Sequence, residues 1–115
     1  MKKLIIILLL FSIAKISIAQ KHNITSAAII LKQYNSEKDK EIKATKIKEA
    51  KEFIDAAYSN ESTSNSAKMW NYRAPIYLQI ALQAPELDDD AILKATEAYI
   101  KCLQKDKKGR IVVRK

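Results

Sequence analysis

Few residues in this chain could do chemistry, and none stands in a spacing that chemistry requires. His22 is the single histidine, lies near the chain start among polar residues, and has no second histidine to pair with. Cys102 is the single cysteine, so no internal disulfide can form. It falls on an apolar helical stripe, where a free thiol acts as a small hydrophobe rather than a reactive or metal-binding group. Asp88, Asp89 and Asp90 are consecutive. A calcium loop needs ligands at alternating places around a turn glycine, so these acids read instead as the start of a helix, where they offset its positive end. Glu41, Glu49, Glu52 and Asp55 lie among lysines at helical spacing and read as intrahelical ion pairs. There is no glycine-rich phosphate loop, and no serine has a base near it in sequence. Catalysis, a cofactor and a metal centre are therefore not expected.

The chain has 115 residues and a net charge of +8. Lys2 and Lys3 precede an uncharged, mostly aliphatic run from Leu4 to Ala14, and Ser17-Ile18-Ala19 supplies small residues before Gln20. This is the pattern of a signal peptide over residues 1–19, with cleavage before Gln20. The run is too short for a membrane-spanning helix, which needs about 20 apolar residues. An exported protein of a cell envelope or periplasm is the expectation. Without Lys2, Lys3 and Lys15, the charge of the remaining chain is +5. Much of the excess sits near the end, in Lys105, Lys107, Lys108, Arg110, Arg114 and Lys115. Such a tail, residues 107–115, suits solubility or an anionic membrane surface. Nucleic acid is not an expected partner, because no aromatic residues interleave with the basic ones to stack on bases.

One glycine and two prolines make an all-α domain the natural expectation for residues 20–106. Asn23 or Thr25 can cap a first helix with an apolar face of Ile24, Ala27, Ala28, Leu31 and Tyr34. After Asn35-Ser36 comes a second helix of about twenty residues. Its stripe is Ile47, Ala50, Ile54 and Ala57, widened by Phe53 and Tyr58, with Lys38, Lys46, Lys48 and Glu52 opposite. Residues 59–66 (S-N-E-S-T-S-N-S) form a loop whose side chains compete for backbone hydrogen bonds. Ser66 caps a third helix near Ala67–Leu82 that is apolar on more than one side and interrupted by Pro75. Pro85 and the aspartates end it, and a fourth helix runs from Ala91 to about Lys105. Ile111-Val112-Val113 has strand character without a partner strand.

Two of these helices share a spacing. Trp70, Ala74 and Tyr77 are four and then three residues apart, and so are Ala95, Tyr99 and Cys102. Each triplet marks one helix face, and two such faces make a helical hairpin. In these residues the chain resembles the tetratricopeptide repeat family, more particularly the N-terminal part of exported repeat proteins from Gram-negative envelopes. Lys101, Leu103 and Asp106 agree with the pattern. Arg73 replaces the usual leucine, Pro75 is unusual, Lys107 stands where proline commonly follows the aspartate, and residues 83–90 enlarge the turn. Ala50, Ile54 and Ala57 echo the second-helix spacing upstream, giving a degenerate hairpin at about 25–58 before the better-matched one at about 67–106. The alternative fold is a generic four-helix bundle.

The resemblance implies a short α-solenoid that acts as a non-catalytic scaffold for a protein or peptide. It places Lys68, Asn71 and Gln79, with apolar Leu78, toward the ligand, and Lys68 with Asn71 could receive a carboxylate. Arrays of this kind need about three repeats for stability. Two hairpins are therefore expected to dimerise, to dock on a partner, or to form the N-terminal part of a longer array. A basic helical protein on an anionic membrane is the competing function.

Overall fold

The structure is a computed structural model that describes residues 22–105. The expected signal peptide, the tail at 107–115 and the Ile111–Val113 segment lie outside the described residues. Within them every regular element is helical. Helix α1 covers residues 22–36, α2 Lys40–Ser59, α3 Ala67–Gln83 and α4 Ala91–Lys105, with a 3-10 turn at Pro85–Leu87. The chain is already helical at residues 22–25, so neither Asn23 nor Thr25 caps α1. Its buried face is Ile24, Ala27, Ile30, Leu31 and Tyr34, with Ile30 in place of the expected Ala28, which is half-buried.

Each later boundary has a local cause. The Asp39 carboxylate caps α2 by accepting from the backbone N–H groups of Glu41 (2.9 Å) and Ile42 (3.2 Å). Lys38 thus precedes α2 instead of lying on its polar face. The α2 stripe is buried at Ile47, Ala50, Ile54 and Ala57, as its periodicity predicts. Past α2, the buried Thr63 hydroxyl donates to the Ala57 carbonyl at 2.6 Å and takes up an acceptor the helix end leaves open. Ser66 caps α3 through a 3.3 Å bond from the Met69 N–H. The Asp88 carboxylate accepts from the Asp90 N–H at 2.9 Å and closes the turn before α4.

Helix α3 is central. It packs on α2 and α4 and buries Met69, Trp70, Arg73, Ala74, Ile76, Tyr77 and Ile80. Complete burial of Ile76, Ile80, Tyr77 and Met69 contributes about 2 kcal/mol per side chain. Helix α1 shares this core and meets α3 where the Tyr34 hydroxyl donates to Gln79 Oε1 at 3.3 Å. Pro75 lies inside α3 without ending it. The carbonyl it deprives of a partner belongs to Asn71, an exposed residue, so water can take the place of the missing N–H.

Helix α4 departs from its expected orientation. Ala91, Ala95 and Ala98 are its buried residues, Cys102 is half-buried, and Tyr99 is 44% exposed. The opposing side of α3 is already filled by Trp70, Tyr77 and Arg73. Only small residues let α4 approach that surface, and Tyr99 lies on the adjoining arc, partly exposed.

Candidate functional site

The α3 residues expected to face a ligand divide into two pairs. Lys68 and Asn71 are exposed near the start of the helix. Leu78 is half-buried against the core, and Gln79 is engaged with Tyr34 across the α1–α3 contact. The four form a strip along α3 and not a cluster. Trp70, Ala74, Tyr77 and Ala95 are buried. Trp70 meets Tyr58 edge-on, with centroids 5.8 Å apart, and its indole N–H donates to Asn65 Oδ1 at 3.4 Å. Burial raises the Cys102 thiol pKa and makes it a poor nucleophile.

A polar network that crosses three helices was not foreseen from the sequence. Arg73, 2% exposed, donates to Asp55 Oδ1 on α2 at 3.1 Å. The Tyr77 hydroxyl donates to the same oxygen, and Lys51 pairs with Asp55 Oδ2 at 2.9 Å. The Arg73 guanidinium also lies 3.9 Å from the Tyr58 ring centroid and 4.6 Å from that of Tyr77. Its Nε is buried without a partner. Burial, followed by the hydrogen bond to Asp55, raises the Tyr77 pKa far above the phenol range. On the α4 side, Lys94 pairs with Asp88 and holds that carboxyl below its usual range, while its ammonium lies 5.5 Å from the Tyr77 ring. Every carboxylate here is matched by a cation, so the network clamps helices and leaves no group poised to attack or to transfer a proton.

A cavity of about 280 Å³ opens where α1, the start of α2 and the end of α3 meet. Tyr34, Ala44 and Ile47 form its apolar part, with Lys40, Lys43 and Glu86 at the rim. Lys43 lies over the Tyr34 ring at 4.4 Å. The space lies just below the range of ordinary ligand pockets, roughly 300–1,000 Å³, and Lys40, Lys43, Gln83 and Glu86 share its lining with the apolar residues. Among the described residues no group of three or more His, Cys, Asp or Glu could hold a metal ion, and no helix is long and apolar enough to cross a membrane.

The largest departure from an ordinary surface is the outer side of α4. Ile92, Leu93, Tyr99, Ile100 and Leu103 are each between 40% and 66% exposed. They account for five of the nine exposed large hydrophobic residues among those described. Isolated exposed apolar residues are common, but a contiguous set on one helix is not. A helical projection of residues 91–105 could have revealed it, because the alanines and the large residues form separate stripes. Compared with known proteins, the chain matches no family model, and neither curated proteins nor solved structures show a significant match.

Proposed function

We propose that this chain is an exported, non-catalytic scaffold whose paired helices, arranged like tetratricopeptide hairpins, hold another protein. The observation that supports this reading is the division of α4. Its small residues pack inward, while its large apolar residues are left 40–66% exposed. A helix at the finished edge of a domain carries polar residues outward. Helix α4 instead presents large apolar residues beside its charged ones, which suits a further element from another chain or from more of the same array. Lys68 and Asn71 on α3 add an exposed polar surface to which an extended peptide could bond.

The test is a photo-crosslinking amino acid placed singly at Lys68, Asn71, Leu93 and Ile100 in the full chain in cells, with Glu52 on the polar side of α2 as control. The expected result is a discrete adduct at one or more of the four positions and none at Glu52, with the partner identified by mass and confirmed by a reciprocal crosslink. Adducts no different from those at Glu52, in a chain that is folded, would sink the scaffold reading.

A further inference from the structure

Successive residues on a helix are turned by about 100°, which sorts the α4 side chains into separate arcs. Ala91, Ala95, Ala98 and Cys102 face α3. Ile92, Thr96, Tyr99 and Leu103 follow one another at intervals of four, three and four residues along the adjoining arc. Leu93 and Ile100, seven apart, widen it. No charged residue lies on this arc. Intervals of four and three repeat every seven residues, which is the seam along which two helices supercoil.

We propose that the occupant of this seam is a second copy of the same chain, with the two α4 helices antiparallel about a twofold axis between Glu97 and Ala98. This rests on the reading of the outer α4 side as an interaction surface and names what covers it. The seam is self-complementary under that operation. Ile92 meets Leu103 of the other copy, and Thr96 meets Tyr99, so a large ring lies over a small side chain on both sides of the axis. Antiparallel pairing of an uncharged seam brings no ion into the interface.

Size agrees with this occupant. The exposed parts of the five large residues amount to roughly 500 Å² per chain, or about 1,000 Å² for two copies, at the lower bound for a specific interface. Such an area suits a reversible dimer of micromolar affinity rather than an obligate one. The remaining exposed large residues, Ile29, Ile42, Tyr58 and Leu82, are scattered over α1, α2 and α3 and offer no second seam of this kind.

The test is sedimentation equilibrium on the full chain from submicromolar to near-millimolar concentration, beside the variants Tyr99→Glu and Ile100→Lys. Both positions are more than 40% exposed, so helicity by circular dichroism should be unchanged. The expected mass doubles with concentration in the wild type and stays monomeric in both variants. Spin labels at Glu97→Cys and at Lys105→Cys, each in a Cys102→Ser background, report orientation. Glu97 and Lys105 both point away from the seam, so an antiparallel pair gives a label separation of about 20 Å at 97 and beyond about 30 Å at 105. A chain that stays monomeric throughout, a dimer that persists in both variants, or equal separations at the two positions overturns the proposal. A monomer that still gives a crosslinked adduct to a different protein at Leu93 or Ile100 overturns only the second copy and leaves the scaffold standing.

Discussion

Replacing Asp55 by alanine tests whether the three-helix network holds the domain together. The substitution removes three contacts at once: Arg73 at 3.1 Å, the Tyr77 hydroxyl, and Lys51 at 2.9 Å. Arg73 is the costly survivor. It is almost fully enclosed, its Nε already has no partner, and only the faces of Tyr58 and Tyr77 remain to it. Breaking a fully buried pair costs about 3–5 kcal/mol. The Asp55 side chain is 35% exposed, however, so water can reach part of the vacated space and lower that figure. The Lys51 pair is a spacing-of-four contact near the surface and adds about 0.5 kcal/mol or less. The expected loss is about 3 kcal/mol, which in a domain of this size lowers the melting temperature by roughly 12–24 °C. Thermal and urea unfolding followed by circular dichroism measure it. The double variant Asp55→Ala/Arg73→Leu should recover much of the loss, because an apolar side chain carries no unmatched charge into the core. A cost below about 1 kcal/mol, or a double variant no more stable than the single one, refutes the argument.

Two further outcomes follow from local geometry. Pro75→Ala gives the Asn71 carbonyl its in-helix donor and should stabilise the domain by about 1–3 kcal/mol; a lower melting temperature would show that the packing of α3 depends on the proline. The Asp88 pKa is lowered in the fold chiefly by the hydrogen bond from Lys94, so its stabilising effect is present above the ordinary aspartate value of 3.8 and disappears as pH falls through the lower folded value. Lys94→Met should therefore be less stable than the wild type near neutral pH, by about 1 kcal/mol or less, with the two urea curves converging as pH falls through the lowered folded value; a constant difference at all pH values would exclude this linkage.

The periodicity of α2 predicts the four residues it buries, because its apolar stripe is opposed by lysines and glutamates, though Tyr58, at the edge of that stripe, is exposed and Lys38 precedes the helix. The serine at position 66 and the loop before it are legible for a similar reason: the capping bond and the Thr63 bond to Ala57 reach only three and six residues along the chain. Arg73 was not legible. Its burial depends on Asp55, eighteen residues away on another helix, and nothing in the local spacing joins the two. The position did carry a signal, since the repeat pattern places leucine there and the structure buries it. Helix α4 was misjudged because it bears two apolar stripes side by side. Spacing alone reads Ala95, Tyr99 and Cys102 as one face, whereas steric fit against Trp70 and Tyr77 selects the alanines. The repeat resemblance places interaction residues on α3, where Gln79 bonds to Tyr34 and Leu78 packs against the core.

The alanine edge of α4 separates two kinds of constraint on a single helix. Enlarging Ala91, Ala95 or Ala98 by even one or two methyl groups would push α4 away from α3, since all three are at most 2% exposed against it. Exchanging Ile92, Leu93 or Ile100 for polar residues disturbs nothing inside the domain. Changes on one edge therefore act on the stability of the fold, and changes on the other, if the proposed surface is right, act on what the molecule meets.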